Sequence, residues 1–142
     1  MEEPELVFEP LPSGDLRRFL VDKVDSHNIA RTGDAEWSPV GFFLRTRQGE
    51  WVGGLTGMVW GRWLHVQLLW VAPSFRGQGQ GSRLLRGAED FALEQGAVAA
   101  TLETFSFQAP FFYLARGYEV FGTLDDYPPG HHKFFLRKQL HH

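Results

Sequence analysis

The sequence predicts an α/β fold of the α+β kind, with a central mixed and mostly antiparallel sheet flanked by helices. Two stretches of sequence predict it. Residues 40–71 have the composition of strands and are interrupted by turn residues at Gln48-Gly49 and Gly61-Arg62, which is typical of an antiparallel meander. Apolar residues then recur at helical spacing from Leu84 to Ala92, between two strand-like stretches. A helix that crosses between two strands implies that those strands are parallel.

The amino-terminal part of the chain is predicted to begin with a short strand at residues 6–8 and to continue into a helix. Leu16, Phe19, Leu20 and Val24 follow Ser13-Gly14 at a spacing that gives one apolar helical face. Residues 25–39 have no clear pattern. They are predicted to form either a second short helix or a loop that meets substrate.

The remaining elements follow from periodicity and from the positions of glycine and proline. Gly96 is predicted to end the helix after Ala92, and Pro110 to begin another that Gly117 ends. The predicted strands are residues 42–46, 51–60, 63–71, 98–104, 118–124 and 132–136.

Composition limits the number of domains and the classes of function. With 142 residues, 43% of them hydrophobic, the chain can bury one substantial core, so we predict a single domain over residues 1–142. The net charge is -3 without a basic stripe, so we expect no nucleic-acid partner. The absence of cysteine excludes an acyl-cysteine intermediate.

The location of the protein is predicted from two sequence features, the length of its apolar stretches and the composition of its first residues. No apolar stretch approaches the roughly 18 residues of a membrane span, so we expect a soluble protein without a membrane partner. The acidic first residues lack the pattern of a secretory signal, which makes the cytoplasm the expected compartment. His141-His142 has the composition of a purification-tag remnant.

The most informative segment is the glycine-rich stretch between the strand that ends at Val71 and the next helix. A helix amino terminus has unpaired N–H groups and about half a positive charge, which suits a pyrophosphate. Glycine at positions 77, 79 and 81 lets the backbone approach phosphate oxygens. A P-loop would need Gly-Lys-Ser/Thr, and a dinucleotide loop Gly-x-Gly-x-x-Gly; both patterns are absent here.

These residues resemble the GNAT superfamily of acetyl-CoA-dependent N-acetyltransferases. Its main motif is similar to Arg76-Gly77-Gln78-Gly79-Gln80-Gly81, and its Tyr-x-x-x-Gly-Phe segment is similar to residues 113–118. The resemblance implies a splay between strands 4 and 5, counting residues 6–8 as the first strand, into which acetyl-CoA enters as co-substrate. The coenzyme-binding residues that it implies are Leu69, Trp70, Val71, Arg76, Gly77, Gln78, Gly79, Gln80, Gly81 and Ser82.

The resemblance also implies a role for Tyr113, which would protonate or hydrogen-bond the departing coenzyme A thiolate. The alternative is that Tyr113 simply packs beside Phe111 and Phe112. The family often has asparagine seven residues before this tyrosine, where this sequence has Ser106. Ser106 is therefore a candidate coenzyme contact with a shorter side chain.

A base must deprotonate the acceptor amine near neutral pH, and Glu103 is the leading candidate. His65 and Gln67 are candidates for lining the acceptor pocket or holding water. For all three, the alternative is a polar side chain on the solvent face of a strand. Residues 125–127 precede a Pro-Pro-Gly turn and are either an entrance for cationic substrates or a solvated turn. Trp37 is either a core residue or a wall of the acceptor site, while Trp60, Trp63 and Trp70 are expected in the core rather than as coenzyme contacts.

The predicted function is therefore direct transfer of an acetyl group from acetyl-CoA to a primary amine of a small molecule or peptide. The alternatives are a non-catalytic acyl-CoA sensor on the same fold and a nucleotide-binding domain. No metal is expected, because adjacent histidines on a strand point to opposite faces. The acceptor, the general base and the oligomeric state stay open, with a homodimer among the alternatives.

Overall fold

A computed structural model describes residues 2–141, which form two compact units, one reaching to Ala35 and one beginning at Glu36. The first unit contains helix α1, Gly14–Thr32. Ser13 caps its first turn, because the hydroxyl oxygen accepts a hydrogen bond from the Leu16 N–H, at 3.1 Å. Gly33 ends it in the left-handed conformation, with φ 73°.

Two expectations for this unit change. Residues 6–8 form no strand, since a strand is stabilised by a paired neighbour and the prolines at 4 and 10 remove donors on both sides. The first helix also continues to Thr32, so most of the segment that had no clear pattern belongs to it. His142 lies outside the described residues, and with it half of the dipeptide interpreted as a tag remnant.

The second unit contains one six-stranded mixed sheet with the order β1-β2-β3-β4-β6-β5. All neighbours are antiparallel except β3 and β4, which are parallel. Each of these strands was predicted, with boundaries shifted by a few residues. They are β1 Ser38–Arg45, β2 Trp51–Trp60, β3 Trp63–Val71, β4 Ala99–Phe105, β5 Glu119–Asp125 and β6 His132–Gln139.

The parallel pair diverges, which confirms the predicted splay. β3 and β4 pair only from Trp63↔Ala99 to Val66↔Leu102, although both strands continue beyond these residues. Because residues 6–8 form no strand, the gap lies between the third and fourth strands of the chain rather than between the fourth and fifth. Beyond Val66, the edge of β3 that faces β4 has no strand partner.

Helix α2, Gln80–Glu94, packs across β1, β2 and β3. Its buried face consists of residues at helical spacing, as predicted: Leu84, Leu85, Ala88 and Ala92. Helix α3, Pro110–Leu114, is shorter than expected but begins at the predicted proline. The core also contains leucines of the central strands, Leu55, Leu64, Leu102 and Leu136. Within residues 2–141, no helix is long and apolar enough to span a membrane.

One polar network connects α2 to the far side of the sheet. Glu89 on α2 accepts hydrogen bonds from the Tyr118 hydroxyl, at 2.7 Å, and from the Lys138 ammonium on β6, at 3.1 Å. The Glu89 and Lys138 side chains are only 12% and 25% exposed. Burial, with the nearby Glu89 carboxylate, raises the pKa of Tyr118, so this hydroxyl stays a donor.

Candidate active site

A cavity of about 1060 Å³ occupies the gap where β3 and β4 diverge. Its walls come from β3, the glycine-rich loop, the start of α2, the end of β4, α3 and β6. Most sequence-predicted site residues line it. They are His65, Gln67, Leu69, Trp70, Val71, Arg76, Gly77, Gly79, Gln80, Gly81, Ser82, Glu103 and Tyr113.

The glycine-rich loop presents bare backbone to this cavity. Gly77 and Gly79 have left-handed φ angles of 72° and 81°, and a Cβ built on either would meet no atom within 4 Å. Arg76 stabilises the turn, because its Nε donates a hydrogen bond to the Val71 carbonyl oxygen at 2.7 Å. The open space over two glycines is what an approaching phosphate needs.

The first turn of α2 begins directly after this loop. Gly79 is its N-cap residue and offers no side-chain acceptor, so no cap satisfies the first N–H groups. Gly81 lines the cavity and also makes room for α3, because a Cβ there would lie 3.1 Å from the Phe112 ring. Gln78 does not line the cavity, and its amide nitrogen donates to the Ser74 carbonyl, at 3.2 Å.

The free edge of β3 forms another wall. Leu69, Trp70 and Val71 lie beyond the last residue that pairs with β4, and all three line the cavity. Trp70 is 54% exposed and Trp63 is 38% exposed, so the expectation that they belong to the core was wrong. An extended ligand can hydrogen-bond to such an unpaired edge as an added strand would.

Tyr113 lies on α3 with its ring packed edge-on against Phe112 and Tyr118, at centroid distances of 5.1 and 5.8 Å. The residue is 9% exposed, yet it lines the cavity. Burial raises the pKa of Tyr113 to about 12, because the phenolate would lose its hydration. The hydroxyl therefore keeps its proton throughout the neutral range and can act as a donor.

Glu103 and His65 lie on the two diverging strands and meet across the gap. The distance between His65 Nε2 and Glu103 Oε2 is 2.8 Å. Both side chains are partly exposed, at 44% and 35%, and both line the cavity. Their pairing was not predicted, because it depends on the register of β3 against β4. The signal in the sequence is a polar residue at alternate positions of each strand.

Some sequence-predicted residues lie elsewhere. Ser106 does not line the cavity. Its hydroxyl oxygen accepts a hydrogen bond from the His132 backbone N–H, at 2.9 Å. Trp37 stacks on Trp60 at 5.0 Å and is also absent from the cavity wall. Asp125 contacts His132, with Oδ1 3.0 Å from Nδ1. These contacts are all compatible with structural roles.

An aromatic group at the end of β4 was not predicted from the sequence. Phe105 and Phe107 stack at a centroid distance of 5.3 Å and both line the cavity, as does Lys133 on β6. Tyr127 lies 5.5 Å from Phe105, and His131 lies 5.0 Å from Phe107. The segments involved are far apart in sequence, so only the fold brings them together.

Comparison with known proteins bears on these features. Residues 12–118 match the model of the acetyltransferase (GNAT) family. The chain belongs to this family. It is 48% identical to the blasticidin-S acetyltransferase of Streptomyces morookaense over 94 residues, which are 66% of this chain and 69% of the relative. Membership of the GNAT family and this identity make the chain an acyltransferase.

Two solved structures illustrate the similarity of fold. A crystal structure of an acetyltransferase from Bacillus cereus is 32% identical and superposes with a TM-score of 0.81, covering 94% of this chain and 98% of that one. The crystal structure of nourseothricin acetyltransferase is 28% identical with a TM-score of 0.64, covering 72% and 66% of the two chains. Two proteins described as acetyltransferases therefore share the fold of this chain.

The described part of the chain, residues 2–141, contains no group of three or more His, Cys, Asp or Glu side chains that could hold a metal ion.

Proposed function

We propose that this GNAT-family chain transfers the acetyl group of acetyl-CoA directly to a primary amine of a small molecule. One observation carries the proposal: the glycine-rich loop, Tyr113 and the Glu103–His65 pair all line the same cavity. Each of these features suits a different part of the reaction. Their common location lets one thioester meet all three.

Acetyl-CoA would bind along the wall made by the loop and the free edge of β3. The pyrophosphate suits the open backbone at Gly77 and Gly79 and the uncapped start of α2. The amide groups of pantetheine suit the edge of β3 at residues 69–71, which is not paired with β4 and can bind them as an added strand would. The Val71 carbonyl is the exception, because it already accepts a hydrogen bond from Arg76 Nε. This arrangement directs the thioester into the gap between β3 and β4.

The acceptor amine must be neutral before it attacks the thioester carbonyl. In the proposed mechanism, the Glu103 carboxylate takes the proton, directly or through one water, while His65 holds that carboxylate through the 2.8 Å contact. Attack forms the carbon–nitrogen bond and a tetrahedral oxyanion, which a backbone N–H near Val71 would stabilise. No covalent bond to the protein is needed.

Collapse of the tetrahedral intermediate breaks the carbon–sulfur bond and releases the coenzyme A thiolate. Tyr113 is the proposed donor to this thiolate, because its hydroxyl stays protonated and the residue lines the cavity. With a pKa raised to about 12, the hydroxyl suits a hydrogen bond better than full proton transfer. The nitrogen of the intermediate still carries one proton more than the amide product, and solvent takes this proton. The thiolate then receives a proton from solvent or from the acid form of Glu103.

The names of two relatives support a small-molecule acceptor. Blasticidin-S acetyltransferase and nourseothricin acetyltransferase are both named for antibiotics. We therefore place blasticidin S and nourseothricin first among candidate acceptors, ahead of peptides. The broad acceptor end of the cavity, with exposed aromatic rings, is compatible with a compact organic molecule.

The experiment is a panel of amines, including both antibiotics, incubated with acetyl-CoA while released thiol and acetylated product are measured. Thiol release with a product that gains one acetyl group supports the proposal. Tight acetyl-CoA binding without thiol release for any amine would instead favour the non-catalytic sensor. Double-reciprocal plots should intersect, since both substrates must be bound together; parallel lines or a competent acetyl-enzyme would contradict direct transfer.

A further inference from the structure

Strand β6 carries three lysine or arginine residues, and two of them have carboxylate partners. Arg137 Nε lies 3.0 Å from Glu119 Oε1, and Lys138 Nζ lies 3.1 Å from Glu89 Oε2. Lys133 has no such partner among the described residues. It is also the cation of this strand that lines the cavity.

Aromatic rings hold the Lys133 ammonium instead. Its Nζ lies 5.7 Å from the centroid of Phe105, 5.2 Å from that of Tyr127 and 5.3 Å from that of Phe135. Each ring face attracts a cation, and together they fix the position of a side chain that would otherwise be mobile. The residue is half-buried. The rings therefore position a positive charge without neutralising it.

The acidic side chains near this end of the cavity are engaged elsewhere. Glu103 pairs with His65, and Asp125 pairs with His132. Asp126 Oδ1 accepts a hydrogen bond from the Gly130 N–H, at 3.3 Å. None of these carboxylates forms an ion pair with the Lys133 ammonium. An anionic group of a ligand in the cavity can therefore pair with it.

The register places Lys133 close to the proposed base. Lys133 is paired with Phe105 across β4 and β6, so the two residues share a face of the sheet. Glu103 precedes Phe105 by two positions and lies on that same face. Such a diagonal step spans roughly 7–8 Å. The cavity wall thus carries the Glu103 carboxylate and, at a diagonal position on the neighbouring strand, the Lys133 ammonium, which has no carboxylate partner.

We propose that Lys133 binds a carboxylate of the acceptor, so that this enzyme prefers amines that also carry a carboxylate over matched amines that lack one. The inference rests on the proposed function, because it assigns the acceptor end of the same cavity. The amine would meet Glu103 while the carboxylate meets Lys133. Phe105 and Phe107 would line the space between them.

The test uses binding rather than turnover, so that it does not depend on the acetylation assay. Isotope-labelled protein saturated with coenzyme A is titrated with 6-aminohexanoate and, in parallel, with hexylamine, which lacks only the carboxylate. Backbone amide shifts at residues 103–107 and 132–135 report binding. We expect 6-aminohexanoate to bind about ten-fold more tightly, the gain typical of one charge-assisted hydrogen bond.

Three variants make the test specific. Lys133→Met should reduce the ratio of the two affinities to about one, whereas Lys133→Arg should retain most of it. Arg137→Met is the matched control, since it removes a cation of the same strand that already has a carboxylate partner, and it should leave the ratio unchanged. Lys133→Gln replaces the methionine variant if that variant fails to fold.

Four outcomes would overturn the proposal. They are equal affinities in the wild type, no measurable binding of either probe, a ratio that survives loss of the Lys133 charge, and an affinity for coenzyme A that falls with that charge. The last would assign Lys133 to the coenzyme. Failure of the proposed function is a separate result, namely no thiol release with any amine.

Discussion

The two ends of the cavity are built from different parts of the chain. At the proposed coenzyme end, the features of the wall are backbone: two left-handed glycines, an uncapped helix start and the edge of β3 that is not paired with β4. At the proposed acceptor end they are side chains, namely His65, Glu103 and Lys133 with the aromatic rings beside them. A backbone surface is independent of most substitutions, whereas a side-chain surface changes with each one. The difference teaches that a single substitution should alter the acceptor end more readily than the coenzyme end.

The largest effect is expected at the coenzyme end, from Gly79→Glu. The new side chain places bulk and negative charge where the pyrophosphate would bind, so binding of coenzyme A should be lost in titration calorimetry. Gly49→Glu is the matched control. Its φ is also left-handed, at 89°, and its Cβ would also meet nothing within 4 Å, but it lies in the β1–β2 turn outside the cavity wall.

Both glycine variants force a non-glycine residue into left-handed backbone, at a cost of about 1–3 kcal/mol each. Their melting temperatures should therefore fall by similar amounts. If Gly79→Glu bound coenzyme A as well as Gly49→Glu did, the backbone assignment of this end would be wrong.

The second largest effect, on the rate of the chemical step, is expected at Tyr113, where the two ends of the cavity meet. Tyr113→Phe keeps the ring packed on Phe112 and Tyr118 but removes the hydroxyl. We expect kcat to fall by about 10²–10⁴-fold with KM for acetyl-CoA nearly constant, as for a group that acts in the transition state. Steady-state kinetics beside a thermal melt check this. Unchanged kcat would leave Tyr113 a packing residue.

At the acceptor end, Glu103→Gln should lower kcat by about 10²-fold, near the lower end of general-base effects, because water can partly replace the carboxylate. Glu119→Gln is its control. It also removes a carboxylate from an exposed ion pair, with Arg137, and such pairs contribute about 0–1 kcal/mol. Equal rates for the two variants would exclude Glu103 as the base and leave His65 as the candidate.

A comparison of these predictions with the sequence shows which parts of the site can be predicted from it. The loop at residues 76–81 was predicted because its geometry depends on local residue types, glycine above all. The Glu103–His65 contact joins residues 38 positions apart, and Lys133 meets Phe105 only through the β4–β6 register. Local patterns do not encode such partners. Residues 6–8 were wrongly predicted as a strand for the same reason, since composition alone does not supply a pairing neighbour.

The smallest expected effect concerns stability in alkali. Burial raises the pKa of Tyr113 from 10.0 to about 12, so above pH 10 the unfolded chain releases a proton that the folded chain keeps. The free energy of unfolding should therefore fall between pH 10 and pH 12. At pH 11 the ionisation of Tyr113 in the unfolded chain lowers the free energy of unfolding by about 1.4 kcal/mol.

Tyr113→Phe should remove that part of the pH dependence. Urea denaturation at pH 9 and pH 11 measures it in both proteins. The wild type should lose more stability than the variant over this interval, and an equal loss would show that the Tyr113 hydroxyl ionises readily in the folded state.

The network around Glu89 has a mechanical consequence for the splayed sheet. Helix α2 packs on the strands to one side of the gap, whereas Lys138 belongs to a strand on the other side. Across the gap itself, β3 and β4 are joined only over residues 63–66 and 99–102. The Glu89–Lys138 contact therefore links the two halves of the sheet beside the residues where β3 and β4 still pair, since Lys138 lies opposite Ala100. The closed end of the gap is thus held by a side-chain contact as well as by backbone pairing.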